Sequence, residues 1–374
     1  IKGNDKGFLW LPSEFNVAHN IYNYSKDKVK SGKVVILYSN TPEDSVLANT
    51  YEMLINEKDS MNVVKLMVKG DNIKKIAKEK SVPGYLHTCI GSEAICVGVM
   101  SALGDDDWVS STYRNHGHSI AKNCELKEIT SEIYGRSSGI CKGRGGSMHI
   151  SDFDKGMLGS FGIVAAGPPV VLGAALQEKI NGGTKMSATF FGDGAIHNGA
   201  FHEAAGLAKL WDVPMLFVCE NNGYAEATAT DWHLNTKELK DIAKAYDMIS
   251  YQGDGNNVFE VHQITRDAII ESKAKNTPIF LEFKNYRFSG QYEGDTQLYQ
   301  PLEEIEEAKK NDPIKKSIEM ASEYNISLDE IKKIQSDALN EVNEAFDFAE
   351  TQPWPKPEDA LEEVYVNYPR ELLI

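Results

Sequence analysis

The chain of 374 residues can bury a large core, as one big or two modest domains, and its net charge of −16 argues against nucleic acid and for solubility, while leaving room for partner proteins with basic patches. No apolar stretch reaches membrane length and no signal-like start is visible, so a cytoplasmic chain without membrane attachment is expected. Five cysteines, Cys89, Cys96, Cys124, Cys141 and Cys219, are odd in number, lack metal-ligand spacing and read as reduced thiols.

Three regions separate along the chain. Residues 1–80 are polar and mixed, and read as a partly helical extension; the sequence starts at Ile1, so a few upstream residues are expected to precede this numbering. Residues 81–295 carry the glycine-rich motifs, and residues 296–374 look helical and charged. No internal repeat or low-complexity tract interrupts them.

Within the middle region the run KMSATFFG, residues 185–192, is short, apolar and aromatic and stops at glycine, which suits a buried strand. From His197 to Trp211, the residues Phe201, Ala204, Ala205, Ala208 and Trp211 recur at helical spacing, and VPMLFVC is strand-like again. A strand, helix, strand unit of this kind has parallel strands and a right-handed crossover. Asp193, in the GDG that ends the first strand, and Asn222, in the NN that ends the second, are therefore expected as neighbours on one sheet edge.

The chemistry of that pair is specific. Gly192 and Gly194 let the backbone approach a ligand closely, and the following helix offers N–H groups to an anion. One carboxylate and one amide oxygen hold a divalent cation poorly alone, but magnesium is commonly bound by one or two carboxylates together with ligand phosphates. The pair thus reads as a magnesium diphosphate site. A Rossmann-type turn, with Asp193 capping the helix and the asparagines making a turn, remains the structural alternative. Farther on, SLDE from Ser327 makes a capping box, and Ile331, Ile334, Leu339, Val342 and Phe346 form an apolar packing stripe.

GDG followed at this distance by NN resembles the thiamine-diphosphate motif. Together with GYLHTCIGSEA, STYRNHGHSIAK, EIYGRSSGICKGRGGSMHI, DKGMLGSFGIV and ENNGYAEAT, in that order between about Pro83 and Pro301, it resembles the alpha subunits of the decarboxylating component of 2-oxo acid dehydrogenase complexes, acetoin dehydrogenases above all. The resemblance implies an α/β fold, a mostly parallel sheet flanked by helices (the thiamine-diphosphate-binding fold), with a helical C-terminal region. Residues 15–40 faintly resemble the amino end of acyl-CoA synthetases, but no adenylate-binding loop follows, so that chemistry is not expected.

Carried over position by position, the resemblance implies Asp193, Asn222 and the Tyr224 carbonyl as magnesium ligands, and Gly194 and Ala195 as backbone donors near the diphosphate. Tyr113 and Arg114 match the pair that binds the diphosphate, where a planar guanidinium suits phosphate oxygens; a surface salt bridge is the alternative for Arg114. Gly162 and Val164 match the segment meeting the aminopyrimidine. His87 matches a histidine facing the reacting end of the cofactor, although a lone histidine can equally be a satisfied core residue. Tyr286 and Arg287 match the start of a loop lining the site. The family also implies a beta subunit that contributes a glutamate to the aminopyrimidine, an arrangement of two alpha and two beta chains, and a lipoyl-bearing acyltransferase as acceptor.

Two departures stand out. The family loop reads approximately YR, two variable residues, GH, then GD, but this chain has YRFSGQYEGD, with Gln291 in place of a histidine that helps transfer to the lipoyl arm. Glutamine cannot exchange protons near neutral pH. Gly206 also replaces a usual asparagine, and GIVAAGPP a more glycine-rich turn. The leading expectation is carbon–carbon bond cleavage of acetoin or a 2-oxo acid, giving a two-carbon acyl-cofactor intermediate. A carboligase passing that unit to a biosynthetic acceptor is the alternative that Gln291 favours, and a catalytically idle scaffold is opposed by the intact Asp193, Asn222, Tyr113 and Arg114.

Overall fold

The computed structural model describes residues 85–236, 238–320 and 327–362, apart from the side chains at 328, 331, 334, 335, 338 and 339, together with the backbone of strands between residues 32 and 69. Those strands, Gly32–Asn40, Ser45–Tyr51, Met53–Asn56, Asp59–Lys65 and Met67–Lys69, form a sheet of mixed pairing. Any helical part of the first 80 residues falls outside the described ones.

The principal sheet has six strands: β1 (Trp108–Thr112), β2 (Met157–Phe161), β3 (Ser187–Gly192), β4 (Leu216–Asn221), β5 (Ile249–Asp254) and β6 (Ile279–Lys284). Their order is β5-β6-β4-β3-β1-β2, and every neighbouring pair is parallel. Successive side chains of a strand point to opposite faces, and in a parallel sheet both faces are covered, which is why the central strands β3, β4 and β6 are largely apolar. Ala188, Phe190, Leu216, Val218, Ile279, Leu281 and Phe283 enter one core, whereas their strand neighbours Phe191, Phe217, Cys219 and Phe280 enter another.

Helices α1 (Glu93–Ala102) and α4 (Val258–Lys275) contribute to the first core; α2 (Gly167–Asn181) and α3 (Gly199–Leu210) contribute to the second. The result is a three-layer α/β arrangement. Gly98 lets α1 and α4 approach closely, since a Cβ there would lie 2.6 Å from Val261 Cγ1. In the second core the rings of Phe191 and Phe201 lie 6.0 and 6.3 Å from Phe280. Phe280 is fully buried. Phe280→Ala is expected to cost about 3–5 kcal/mol through lost burial and the cavity left behind, read as a lower urea midpoint at unchanged slope.

The C-terminal region is helical, as its sequence suggests. Helix α5 (Leu328–Thr351) starts at the expected capping box: Ser327 Oγ accepts from the Glu330 N–H at 3.2 Å, and Glu330 Oε2 accepts from the Ser327 N–H at 3.0 Å. Val342, Ala345, Phe346 and Ala349 of α5 join the first core, whereas the side chains of Ile331, Ile334 and Leu339 lie outside the described residues.

One boundary differs from the expectation. The helix after GDG begins at Gly199 rather than His197, because Asp193–His197 forms a 3₁₀ turn and Asn198 takes the cap, accepting the Ala200 N–H at 2.9 Å. An extended asparagine that satisfies a free N–H is a stronger helix start than a continued turn. The capping role considered for Asp193 thus belongs to Asn198.

Candidate active site

The connection leaving β1 runs toward β2, on one side, while the connection leaving β3 runs toward β4, on the other. Ligands of open α/β sheets bind where connections diverge in this way, beyond the carboxyl ends of the strands. A cavity of about 600 Å³ lies there, lined by segments following β1 (Tyr113, Arg114), β2 (Gly162, Val164), β3 (Asp193, Gly194, Ala195), β4 (Asn222, Tyr224) and β6 (Arg287, Gln291), and by His87 from before α1. The residues singled out from the sequence as site residues therefore meet in one place, apart from Tyr286, which precedes Arg287 but does not line this cavity.

The pairing of Gly192 with Glu220 in the β3–β4 ladder sets Asp193 and Asn222 at adjacent strand ends. Asp193 is 1% exposed. Its Oδ2 accepts from Thr230 Oγ1 at 3.2 Å and lies 3.4 Å from His233 Nε2, whereas its Oδ1 is buried with no hydrogen-bond partner. Asn222 Oδ1 accepts the Tyr224 N–H at 3.1 Å, which folds the chain into the short ribbon Tyr224–Ala225 and Thr228–Ala229. A buried carboxylate oxygen without a donor is costly unless a ligand satisfies it. An anionic oxygen, an amide oxygen and the carbonyl of Tyr224 make a donor set suited to a hard divalent cation that takes its remaining ligands from phosphate and water. Close approach is built in at Gly194, where a Cβ would come within 2.6 Å of the Ala225 Cβ.

The other wall is cationic. Arg114 and Arg287 are 7% and 3% exposed. Arg114 donates to the Thr88 carbonyl and, at 3.0 Å, to the Gln291 carbonyl. Arg287 donates to the Glu226 carbonyl at 2.6 Å, Tyr299 Oη at 2.9 Å and Gln291 Oε1 at 2.5 Å. Neither guanidinium forms an ion pair with a carboxylate of the described residues. Burial, then the Arg287 charge, shifts the Arg114 pKa downward. Two buried like charges held by neutral oxygens cost free energy that an anionic ligand would offset. The surface salt bridge considered for Arg114 is excluded by its burial.

His87 is also not a packed core residue: it lines the cavity, its ring 4.4 Å from that of Tyr113 and its Nδ1 2.8 Å from the Gln291 carbonyl. Burial and the neighbouring Arg114 lower its pKa to about 4, so it is neutral at pH 7. Gln291 is held at every polar atom. Its Nε2 donates to Tyr113 Oη at 2.9 Å and its N–H to Asp295 Oδ2 at 2.7 Å, while Asp295 also accepts from Tyr299 Oη at 2.5 Å. Val164 is half exposed and its carbonyl accepts from Asn198 Nδ2 at 3.1 Å; Gly162 sits against the His149 ring.

Several residues of the site carry no sequence signal of their role. Thr230 and His233 reach Asp193 from a segment without a recognisable pattern. Asp295, the last residue of the EGD triplet, anchors the Gln291 loop. Glu220 precedes the paired asparagines; burial, then the neighbouring Cys89, pushes its carboxyl up to about 8. Glu132 is fully buried and gathers the GRGG loop, accepting the N–H groups of Cys141, Gly143, Gly145 and Gly146 at 2.7–2.9 Å.

Comparison with known proteins gives this cavity a context. Residues 61–358 match the family model described as the dehydrogenase E1 component. The chain is 39% identical over 302 residues to the alpha subunit of acetoin:2,6-dichlorophenolindophenol oxidoreductase of Bacillus subtilis (strain 168), covering 80% of this chain and 90% of that one. The subunit of the same name from Cupriavidus necator is 38% identical over 289 residues, 77% of this chain and 87% of its own. The somatic mitochondrial pyruvate dehydrogenase E1 component subunit alpha of Homo sapiens is 34% identical over 299 residues, 79% of this chain and 75% of its own.

Proposed function

This chain belongs to the dehydrogenase E1 component family, and from that premise we propose that it is the alpha subunit of an enzyme that cleaves a carbon–carbon bond of acetoin or a 2-oxo acid with thiamine diphosphate, forming a two-carbon acyl unit. Similarity to acetoin and pyruvate dehydrogenase subunits supports this reading over the carboligase. The observation that carries it is the convergence of an unpaired Asp193 oxygen and two buried guanidiniums on one cavity at the divergence of the sheet connections.

Thiamine diphosphate, when bound, supplies a carbon nucleophile that adds to a carbonyl and an electron sink for the bond that breaks. This chain's residues bind and orient it. Asp193, Asn222 and the Tyr224 carbonyl would hold magnesium, which would neutralise the diphosphate, and the N–H groups of Gly194 and Ala195 together with Tyr113 and Arg114 would bind its oxygens. Gly162 and Val164 meet the aminopyrimidine through their backbone, and Arg287 fixes the Gln291 loop. His87 and Gln291 face the reacting end. There His87, uncharged at pH 7, serves as a hydrogen-bonding group beside Tyr113 and Arg114.

The site is half of a complete one. A beta subunit brings the glutamate that activates the cofactor, in an assembly of two alpha and two beta chains located in the cytoplasm, and a lipoyl-bearing acyltransferase is the acceptor. The chain alone is expected to give no acetoin- or pyruvate-dependent reduction of 2,6-dichlorophenolindophenol, and mixing with the beta subunit should restore it. Full turnover by the isolated chain would contradict the division of the site; a complex inert toward both substrates would contradict the donor assignment.

A further inference from the structure

We infer that His233, together with Thr230, is a positioning residue that fixes the Asp193 carboxylate so that its free oxygen faces the metal. The inference rests on the reading of Asp193 as a metal ligand. The two oxygens of Asp193 have opposite surroundings. Oδ2 meets the Thr230 hydroxyl at 3.2 Å and His233 Nε2 at 3.4 Å, and Oδ1 meets no donor. A carboxylate with two free oxygens can rotate or bind a cation in either of two modes; one held through a single oxygen presents the other in a fixed direction.

The placement of His233 follows from the local fold. The ribbon Tyr224–Ala225 and Thr228–Ala229 reverses the chain after the Asn222 turn, and the Thr230 N–H donates to the Gly223 carbonyl at 2.9 Å. That closure brings the turn Thr230–His233 against the 3₁₀ turn Asp193–His197. The imidazole is 14% exposed, its ring stands edge-on to that of His197 with centroids 5.4 Å apart, and neither ring nitrogen has a hydrogen-bond partner. An imidazole desolvated without a hydrogen bond is unfavourable in itself. Among the described residues its one acidic contact is the Asp193 oxygen that the metal does not need. Its Nε2 stands 3.4 Å from Oδ2 without forming a hydrogen bond in this structure, while Thr230 Oγ1 donates one to the same oxygen at 3.2 Å, so both groups crowd the oxygen that is turned away from the ligand. Groups that hydrogen-bond a ligating carboxylate in this manner orient it, and their removal typically weakens metal affinity about 10–100-fold.

The test uses the assembled complex with the beta subunit and reads the magnesium chloride concentration that half-saturates thiamine diphosphate binding in titration calorimetry. His233→Leu should raise it about 10–100-fold, and His233→Gln, which keeps an N–H donor at similar reach, should stay within about threefold of the parent. Thr230→Val, which preserves shape and removes the other donor, should shift it in the same direction, so the conclusion does not depend on the folding of the leucine variant alone. Unchanged magnesium dependence in both His233→Leu and Thr230→Val overturns the inference, as does a glutamine variant as weak as the leucine one. Asp193→Ala separates the two levels. If it leaves magnesium-dependent binding intact, the metal assignment itself falls; if it abolishes binding while His233→Leu and Thr230→Val behave as the parent, only the positioning role falls.

Discussion

Asp193→Ala abolishes magnesium-dependent thiamine diphosphate binding to the assembled enzyme. Asp193 is the one carboxylate in the proposed ligand set, and it is already stripped of water, with one oxygen bare. Removing one partner of a buried charge contact commonly costs about 2–5 kcal/mol, and about 3 kcal/mol is more than a hundredfold in dissociation constant. The effect should exceed that range, because the metal is also what makes the diphosphate acceptable so close to the Asp193 carboxylate. Asn222→Ala removes a neutral amide oxygen and should cost less, since water can replace it. Calorimetric titration of thiamine diphosphate at fixed magnesium gives both numbers. Unaltered affinity in the Asp193 variant would place the metal elsewhere and remove the basis for reading this edge of the sheet as a diphosphate site.

The principal sheet and its site are legible in the sequence for different reasons. Glycine-terminated apolar runs expose β3 and β4 directly, and parallel geometry then fixes where their ends go, so the pairing of Asp193 with Asn222 follows from the sequence alone. Tyr113, Arg114, Gly162, Val164 and Arg287 carry no such local signal. They are recognisable only through the resemblance of whole blocks, and their convergence depends on strand order, which no single segment encodes. His233 is invisible on both grounds, and Glu132, although it opens the block EIYGRSSGICKGRGGSMHI, shows nothing there of what it binds. Each acts through long-range contacts, His233 on Asp193 and Glu132 on four loop N–H groups, and a side chain chosen for a distant partner leaves no periodicity in its own neighbourhood. The start of α3 departs from its apolar spacing for a similar reason: a 3₁₀ turn and a helix share a spacing over one turn, and only the cap at Asn198 distinguishes them.

Gln291→His raises lipoamide reduction by the assembled enzyme while leaving cofactor affinity nearly unchanged. Gln291 occupies the loop position of the family histidine, and its surroundings show what an imidazole would meet. The amide donates to Tyr113 Oη and accepts from Arg287 Nη1, so a neutral imidazole can reproduce one donated and one accepted bond in the same place. The loop itself stays put, because it is anchored by backbone atoms: the residue 291 N–H on Asp295, and its carbonyl on Arg114 and His87. What changes is proton transfer, which an amide cannot perform and an imidazole can. General acid–base help is typically worth about 10²–10⁴-fold, and the low end is expected here, since Arg287 beside the ring disfavours the imidazolium. Cleavage of acetoin or pyruvate with 2,6-dichlorophenolindophenol as acceptor should move far less than transfer to lipoamide, and the ratio of the two rates is the measurement. If the parent enzyme already reduces lipoyl domains as fast as it cleaves substrate, Gln291 is no barrier, and the proton for that step must come from another group or from water.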